Sequence, residues 1–192
     1  MSSLKDIRVS PLSRAYTFSD SVYEVIPYFA GHPLCFSRHI ERLASSLQLS
    51  HISVDMDVIT SELKQLGDEL GNQDGYIYFQ VSRGVDEIRA HLYADDLEAE
   101  RFGYAFQTSG SVEPISGMLC EDNRWAHCNI KSTSLLGNVL SMNQARQQGC
   151  NEVIMHRAGN MTEAGASNVF YLNHQGIVRT SALTENILPG IT

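Results

Sequence analysis

Apolar residues along this chain fall into short runs rich in β-branched and aromatic types, and longer runs at helical spacing. Residues 22–30, VYEVIPYFA, are of the first kind and predict a strand. GHP at 31–33 predicts a turn, and LCF at 34–36 the returning strand. Ile40, Leu43 and Leu47 recur at helical spacing, which predicts a helix over 37–49 with Ser37 as N-cap. A second amphipathic helix is expected over 57–70, with Val58, Ile59, Leu63, Leu66 and Leu70 inward and Gly71 as its stop. Strands are predicted at 76–84, at 87–94 as its antiparallel partner across RGVD, and at 101–110. The Ser-, Gly- and Pro-rich stretch 109–118 reads as a linker. Beyond it the pattern predicts a helix over 134–148 closed by Gly149, a strand over 152–157, a turn at AGN, and a hairpin of ASNVFYLN and GIVRT across HQG. Strands and helices in segregated blocks predict an α+β fold with domains at 1–108 and 119–192.

Composition narrows the function. The 192 residues are 43% hydrophobic and 19% charged, an ordinary globular balance. A formal net charge of -8 argues against nucleic acid or an anionic membrane as the main partner. The four cysteines form no C-x-x-C pair, and the N-terminus has no apolar signal core, so a reducing cytoplasm is expected. No apolar run is long enough to span a bilayer.

The nucleophile elbow, the Walker loop, H-E-x-x-H, the dinucleotide G-x-G-x-x-G and zinc-type Cys/His spacings are all missing from the sequence. What remains is Lys131, in NIKSTSLL just before a helical run. A lysine is nucleophilic only as the neutral amine, which needs desolvation or a cationic neighbour. A solvated surface lysine is the plain alternative. In MTEAGASNVF, Glu163 stands among small residues at a strand entrance, where a flat ligand can approach the backbone. A carboxylate there could pair with a pyridinium nitrogen, and a turn with one exposed glutamate is its alternative.

The order Lys-Ser, helix, Gly-Cys, strand, T-E-x-x-x-S-N-V-F and L-P-G-I-T resembles the fold-type IV pyridoxal-phosphate enzymes. That family holds the D-amino-acid and branched-chain aminotransferases and aminodeoxychorismate lyase. SRAYTFSDSVYE with HIERL resembles its opening, and IYFQVSRGVDEIRAH resembles the D-amino-acid group in particular. The resemblance implies a small N-terminal domain and a large cofactor-binding second domain. It implies transamination between a D-amino acid and a 2-oxo acid with pyridoxal 5'-phosphate. Lyase or branched-chain aminotransferase activity is the alternative on the same fold, and an inactive truncated member is another. A homodimer is implied as well.

Carried over residue by residue, the resemblance has Lys131 condense with the cofactor aldehyde and move the proton between Cα and C4′. Glu163 pairs with the ring nitrogen, Arg42 binds the phosphate and Leu188 packs on the ring. Ile191 and Thr192 offer backbone and hydroxyl groups to the phosphate. Tyr23 helps set the substrate pocket, and Arg89 with His91 receives the α-carboxylate. On the predicted 87–94 strand these two would share a face. Arg124 matches an arginine of the D-amino-acid group, with a structural ion pair as its other reading. Two departures from the family stand out. Ser19 and Ser21 occupy positions where glycines are usual, and serine there is strained if φ must be positive. The family pattern also runs on past Thr192, so the second domain is expected to be incomplete and to expose apolar sheet.

Overall fold

The computed structural model describes residues 4–108 and 113–192. The chain divides into two compact units. Unit 1 takes the residues up to Thr108 together with Ser132–Ser134, and unit 2 takes Ser109–Lys131 and Leu135–Thr192.

Unit 1 runs α1 (Arg14–Phe18), β1 (Ser21–Phe29), β2 (His32–Pro33), α2 (Phe36–Leu49), α3 (Met56–Asp68), β3 (Gly75–Ser82) and β4 (Glu100–Gln107). The strands form one antiparallel sheet in the order β2-β1-β3-β4. Pairs Val22↔Val81, Glu24↔Phe79 and Ile26↔Ile77 put these six side chains on one face, and all are buried. α2 and α3 supply Leu43, Leu47, Ile59, Leu63 and Leu66 to the same core. The other face carries aromatics. Tyr78 lies 5.6 Å from Tyr23 and 5.5 Å from Tyr104, ring centre to ring centre. Burial, helped by these two tyrosines, pushes its hydroxyl up to about 12.

Unit 2 runs β5 (Gly117–Glu121), α4 (Leu136–Gln147), β6 (Glu152–Arg157), β7 (Asn160–Ala164), β8 (Phe170–Leu172) and β9 (Val178–Thr180). β5 and β6 are parallel, with α4 lying between them in the chain, and β7 returns antiparallel to β6. Met118, Ala145, Val153 and Met155 form its core, with Cys120, Met142 and Cys150 packed against it. β8 and β9 form a separate hairpin, and Phe170, Tyr171, Leu172 and Val178 are exposed.

Several sequence expectations are corrected. Residues 87–94 form no strand; β4 takes the place beside β3. The return strand is His32–Pro33 rather than 34–36, where a turn leads into α2. The N-cap of α2 is Cys35, in left-handed conformation and without a side-chain cap bond, rather than Ser37. Val58 is 41% exposed and not part of the core. Helix α3 ends at Asp68 with Glu69 as C-cap, three residues ahead of the bend at Gly71. In the proposed linker, 109–112 lie outside the described residues, and Gly117 and Met118 already belong to β5. The segment α1 and the strands β5 and β7 were not anticipated.

Candidate active site

Glu163 sits on β7 and is 6% exposed. Its Oε1 accepts from Arg124 Nη1, and its Oε2 from the Leu188 backbone N–H at 3.1 Å and Asn168 Nδ2 at 3.4 Å. Burial pushes the carboxyl above its ordinary 4.5, while Arg124 and the Leu188 N–H pull it back. Arg124 is itself fixed from behind. Its Nε donates to Asp122 Oδ1 and its Nη2 to Asp122 Oδ2, both at 2.9 Å, a bidentate fork on a carboxylate of 4% exposure. Thr162 Oγ1 donates to Asp122 Oδ2 at 2.9 Å, and Arg157 Nη2 donates to the Arg124 carbonyl at 2.9 Å. The chain therefore aims one guanidinium N–H at one oxygen of Glu163 and holds it there.

Lys131 is partly buried and follows Asn129 and Ile130. The Oδ1 of Asn129 is a buried acceptor without a partner among the described residues. Leu188 and Ile191 are partly buried and Thr192 is exposed, and the Leu188 carbonyl accepts from Asn168 Nδ2 at 2.9 Å. Gly190 leaves no room for a side chain, because a Cβ there would run into the Asn168 amide. Asn168 thus ties the Leu188–Thr192 segment to Glu163.

In unit 1, Arg42 on α2 forks onto Glu24 of β1, with Nε on Oε1 at 2.7 Å and Nη2 on Oε2 at 2.8 Å. His39 Nδ1 lies 2.8 Å from the same Oε2. Glu24 is fully buried on an otherwise apolar sheet face, and these contacts satisfy it. Tyr23 points to the opposite, aromatic face against Tyr78. Arg89 and His91 are exposed on the irregular segment after β3. They meet at one ring: Arg89 Cζ is 4.6 Å from the Phe18 centroid, and the His91 ring centre is 5.5 Å from it.

Lys131, Glu163, Leu188, Ile191, Thr192 and Arg124 therefore belong to unit 2, and Arg42, Tyr23, Arg89 and His91 to unit 1. The structure brings together Glu163, Arg124 and Leu188 in one unit, and Arg89 and His91 in the other. Sequence reading missed Asp122, Glu24 and His39. Glu24 carried a signal, a lone carboxylate in phase with Val22 and Ile26 on a buried strand face. Asp122 carried none, because its importance lies in the contact with Arg124 and Thr162.

In unit 2, Glu163 has the chemistry to accept from the protonated ring nitrogen of a cofactor. A carboxylate has about four acceptor sites. Three donors reach Glu163 from the described residues, so one more N–H fits.

Residues 21–192 match the Amino-transferase class IV family. The chain is 36% identical over 198 residues to a D-alanine aminotransferase of Listeria monocytogenes, covering 98% of this chain and 68% of that protein. It is 31% identical over 195 residues to a D-alanine aminotransferase of Staphylococcus aureus, covering 97% of this chain and 68% of the relative. The fold is similar to that of the Escherichia coli branched-chain amino acid aminotransferase, with TM-score 0.86 and 22% identity over 98% of this chain and 67% of the other. A Legionella pneumophila structure named for 4-amino-4-deoxychorismate lyase shares it too, with TM-score 0.83 and 21% identity over 98% of this chain and 71% of the other.

Proposed function

Because this chain belongs to the Amino-transferase class IV family, we propose that it passes the amino group of a D-amino acid such as D-alanine to a 2-oxo acid, using pyridoxal 5'-phosphate. The cofactor supplies the electron sink that stabilises charge at the substrate Cα. Lys131 would hold the cofactor through its side-chain nitrogen and, once displaced by the substrate amine, would serve as the base that moves the proton at the substrate Cα. Glu163 would accept the ring N–H and hold that nitrogen charged. Arg124 and the Leu188 N–H orient the carboxylate for this. Arg42 would bind the phosphate, Ile191 and Thr192 would offer it backbone and hydroxyl groups, and Leu188 would pack on the ring. Arg89 and His91 receive the substrate carboxylate, and Tyr23 shapes the substrate pocket. The working form is a homodimer in the cytoplasm; among the described residues no helix is long and apolar enough to cross a membrane.

The observation that carries this reading is Glu163. It is a buried carboxylate fixed by a guanidinium and a main-chain N–H, which is how an anion is held in place to face a ring cation. The D-alanine aminotransferase relatives support the choice of substrate. The test is formation of pyruvate from D-alanine and 2-oxoglutarate by the chain with added cofactor, beside Lys131→Ala. Turnover by the wild type alone is expected. Turnover of aminodeoxychorismate or of L-branched amino acids, with none of D-alanine, would overturn the substrate assignment.

A further inference from the structure

Arg89 and His91 lie on an irregular, exposed segment, yet the backbone that carries them is gripped from inside unit 1. Arg14, on α1, is 4% exposed. Its Nη1 donates to the Ala90 carbonyl at 2.8 Å and its Nη2 to the His91 carbonyl at 3.3 Å. Its Nε donates to Asp20 at 2.8 Å, and Asp86 lies 3.6 Å from Nη1. Its guanidinium stands 4.7 Å from the centroid of Phe18, the ring that Arg89 and His91 also touch.

A second buried arginine completes the grip. Asp20 also accepts from Arg83, at 2.8 Å from Nε and 3.0 Å from Nη2. Arg83 donates to the Ser50 and His51 carbonyls at 2.7 and 2.8 Å, and its guanidinium covers the Tyr93 ring at 3.9 Å. One carboxylate thus couples an arginine that holds residues 90 and 91 to one that holds residue 93. Taking two guanidinium groups out of water is costly unless each is paired. An ordinary loop would leave its carbonyls to water. Here the spending falls on the main chain that presents Arg89 and His91.

We infer that Arg14 is a positioning residue for the substrate-carboxylate site: it fixes the Ala90–His91 backbone so that Arg89 and His91 meet one carboxylate together. The inference rests on the reading that these two residues receive that carboxylate.

The test is carboxylate binding, which needs no turnover and stays readable if the aminotransferase reading fails. Propanoate is titrated into the full chain, and the His91 imidazole signals, assigned with His91→Gln, are followed by NMR. Propanamide, the neutral analogue, is the control. Wild type is expected to show a saturable shift with propanoate only. Arg14→Lys keeps a charge but cannot span both carbonyls and Asp20, and loss of a charged hydrogen bond raises the dissociation constant about tenfold. Tyr93→Leu removes the ring that stands 3.9 Å from the Arg83 guanidinium and 5.5 Å from that of Arg14, loosening both arginines while keeping their hydrogen bonds, for a rise of about threefold. If Arg14→Lys fails to fold, Tyr93→Leu decides alone. Unchanged affinity in the folded variants, or no propanoate shift at His91 in wild type, overturns the inference.

Discussion

Asp122 and Asp20 show how far single residues set the chemistry of this chain. Burial alone would raise both carboxyls, yet hydrogen bonds from Arg124 in one case, and Arg83 and Arg14 in the other, outweigh it. Both therefore titrate below their ordinary 3.8. The unfolded chain then binds more protons than the folded one in that range, so stability rises with pH there. The contribution is fully present above pH 3.8 and is lost as pH falls from there through the lower folded values. Urea midpoints taken from pH 6 down to pH 3 are expected to drop more steeply for wild type than for Asp122→Asn. Parallel curves would show that Asp122 does not carry this linkage.

At the scale of elements, two small residues decide opposite outcomes. Ser19 closes α1 with φ 54°, the left-handed region that the glycine pattern foreshadowed, whereas Ser21 lies in β1. A non-glycine residue there costs about 1–2 kcal/mol, and glycine returns part of that as unfolded-state entropy. Ser19→Gly is expected to gain about 1 kcal/mol in denaturant unfolding. Gly67, within α3, is the reverse case. Alanine would gain about 1 kcal/mol of helix propensity. Its Cβ, however, would sit 2.8 Å and 2.9 Å from ring carbons of the buried Tyr28. Overpacking of that kind costs about 1–3 kcal/mol, so Gly67→Ala is expected to destabilise. A gain would mean the ring yields. The strand expected at 87–94 shows where sequence reading stopped. EIRAHLYA has the composition of a strand, but the carbonyls of Ala90 and His91 are taken by a side chain, Arg14, rather than by a sheet ladder. No local pattern announces a partner 76 residues away. β5 escaped for another reason: it opens inside a Ser/Gly/Pro stretch whose composition reads as a linker.

At the scale of the molecule, most of the architecture was legible, because alternation and helical spacing carry it. Strands β1, β3, β4 and β6 and the helices α2, α3 and α4 lie where the apolar pattern puts them. The candidate site residues, from Arg42 through Arg89 and His91 to Lys131, Glu163 and Leu188, were named from the family resemblance and not from local pattern, and their roles stand as proposals. The buried groups behind these residues, Asp122 in unit 2 and Asp20, Arg14 and His39 in unit 1, were not legible, because Thr162–Asp122, Arg83–Asp20, Arg14–Ala90 and His39–Glu24 pair residues 40, 63, 76 and 15 positions apart. The family match over residues 21–192 agrees with the order of the motifs, and the chain spans 68% of the length of its Listeria relative. On the proposed function, Lys131 is the residue that takes the cofactor. The chain has three lysines, Lys5, Lys64 and Lys131, and the first two are exposed. Borohydride reduction after adding pyridoxal 5'-phosphate, followed by peptide mass spectrometry, reads each of them separately. The expected result is one pyridoxyl adduct, on the peptide containing Lys131. An adduct spread over Lys5 and Lys64, or none on Lys131, would contradict it.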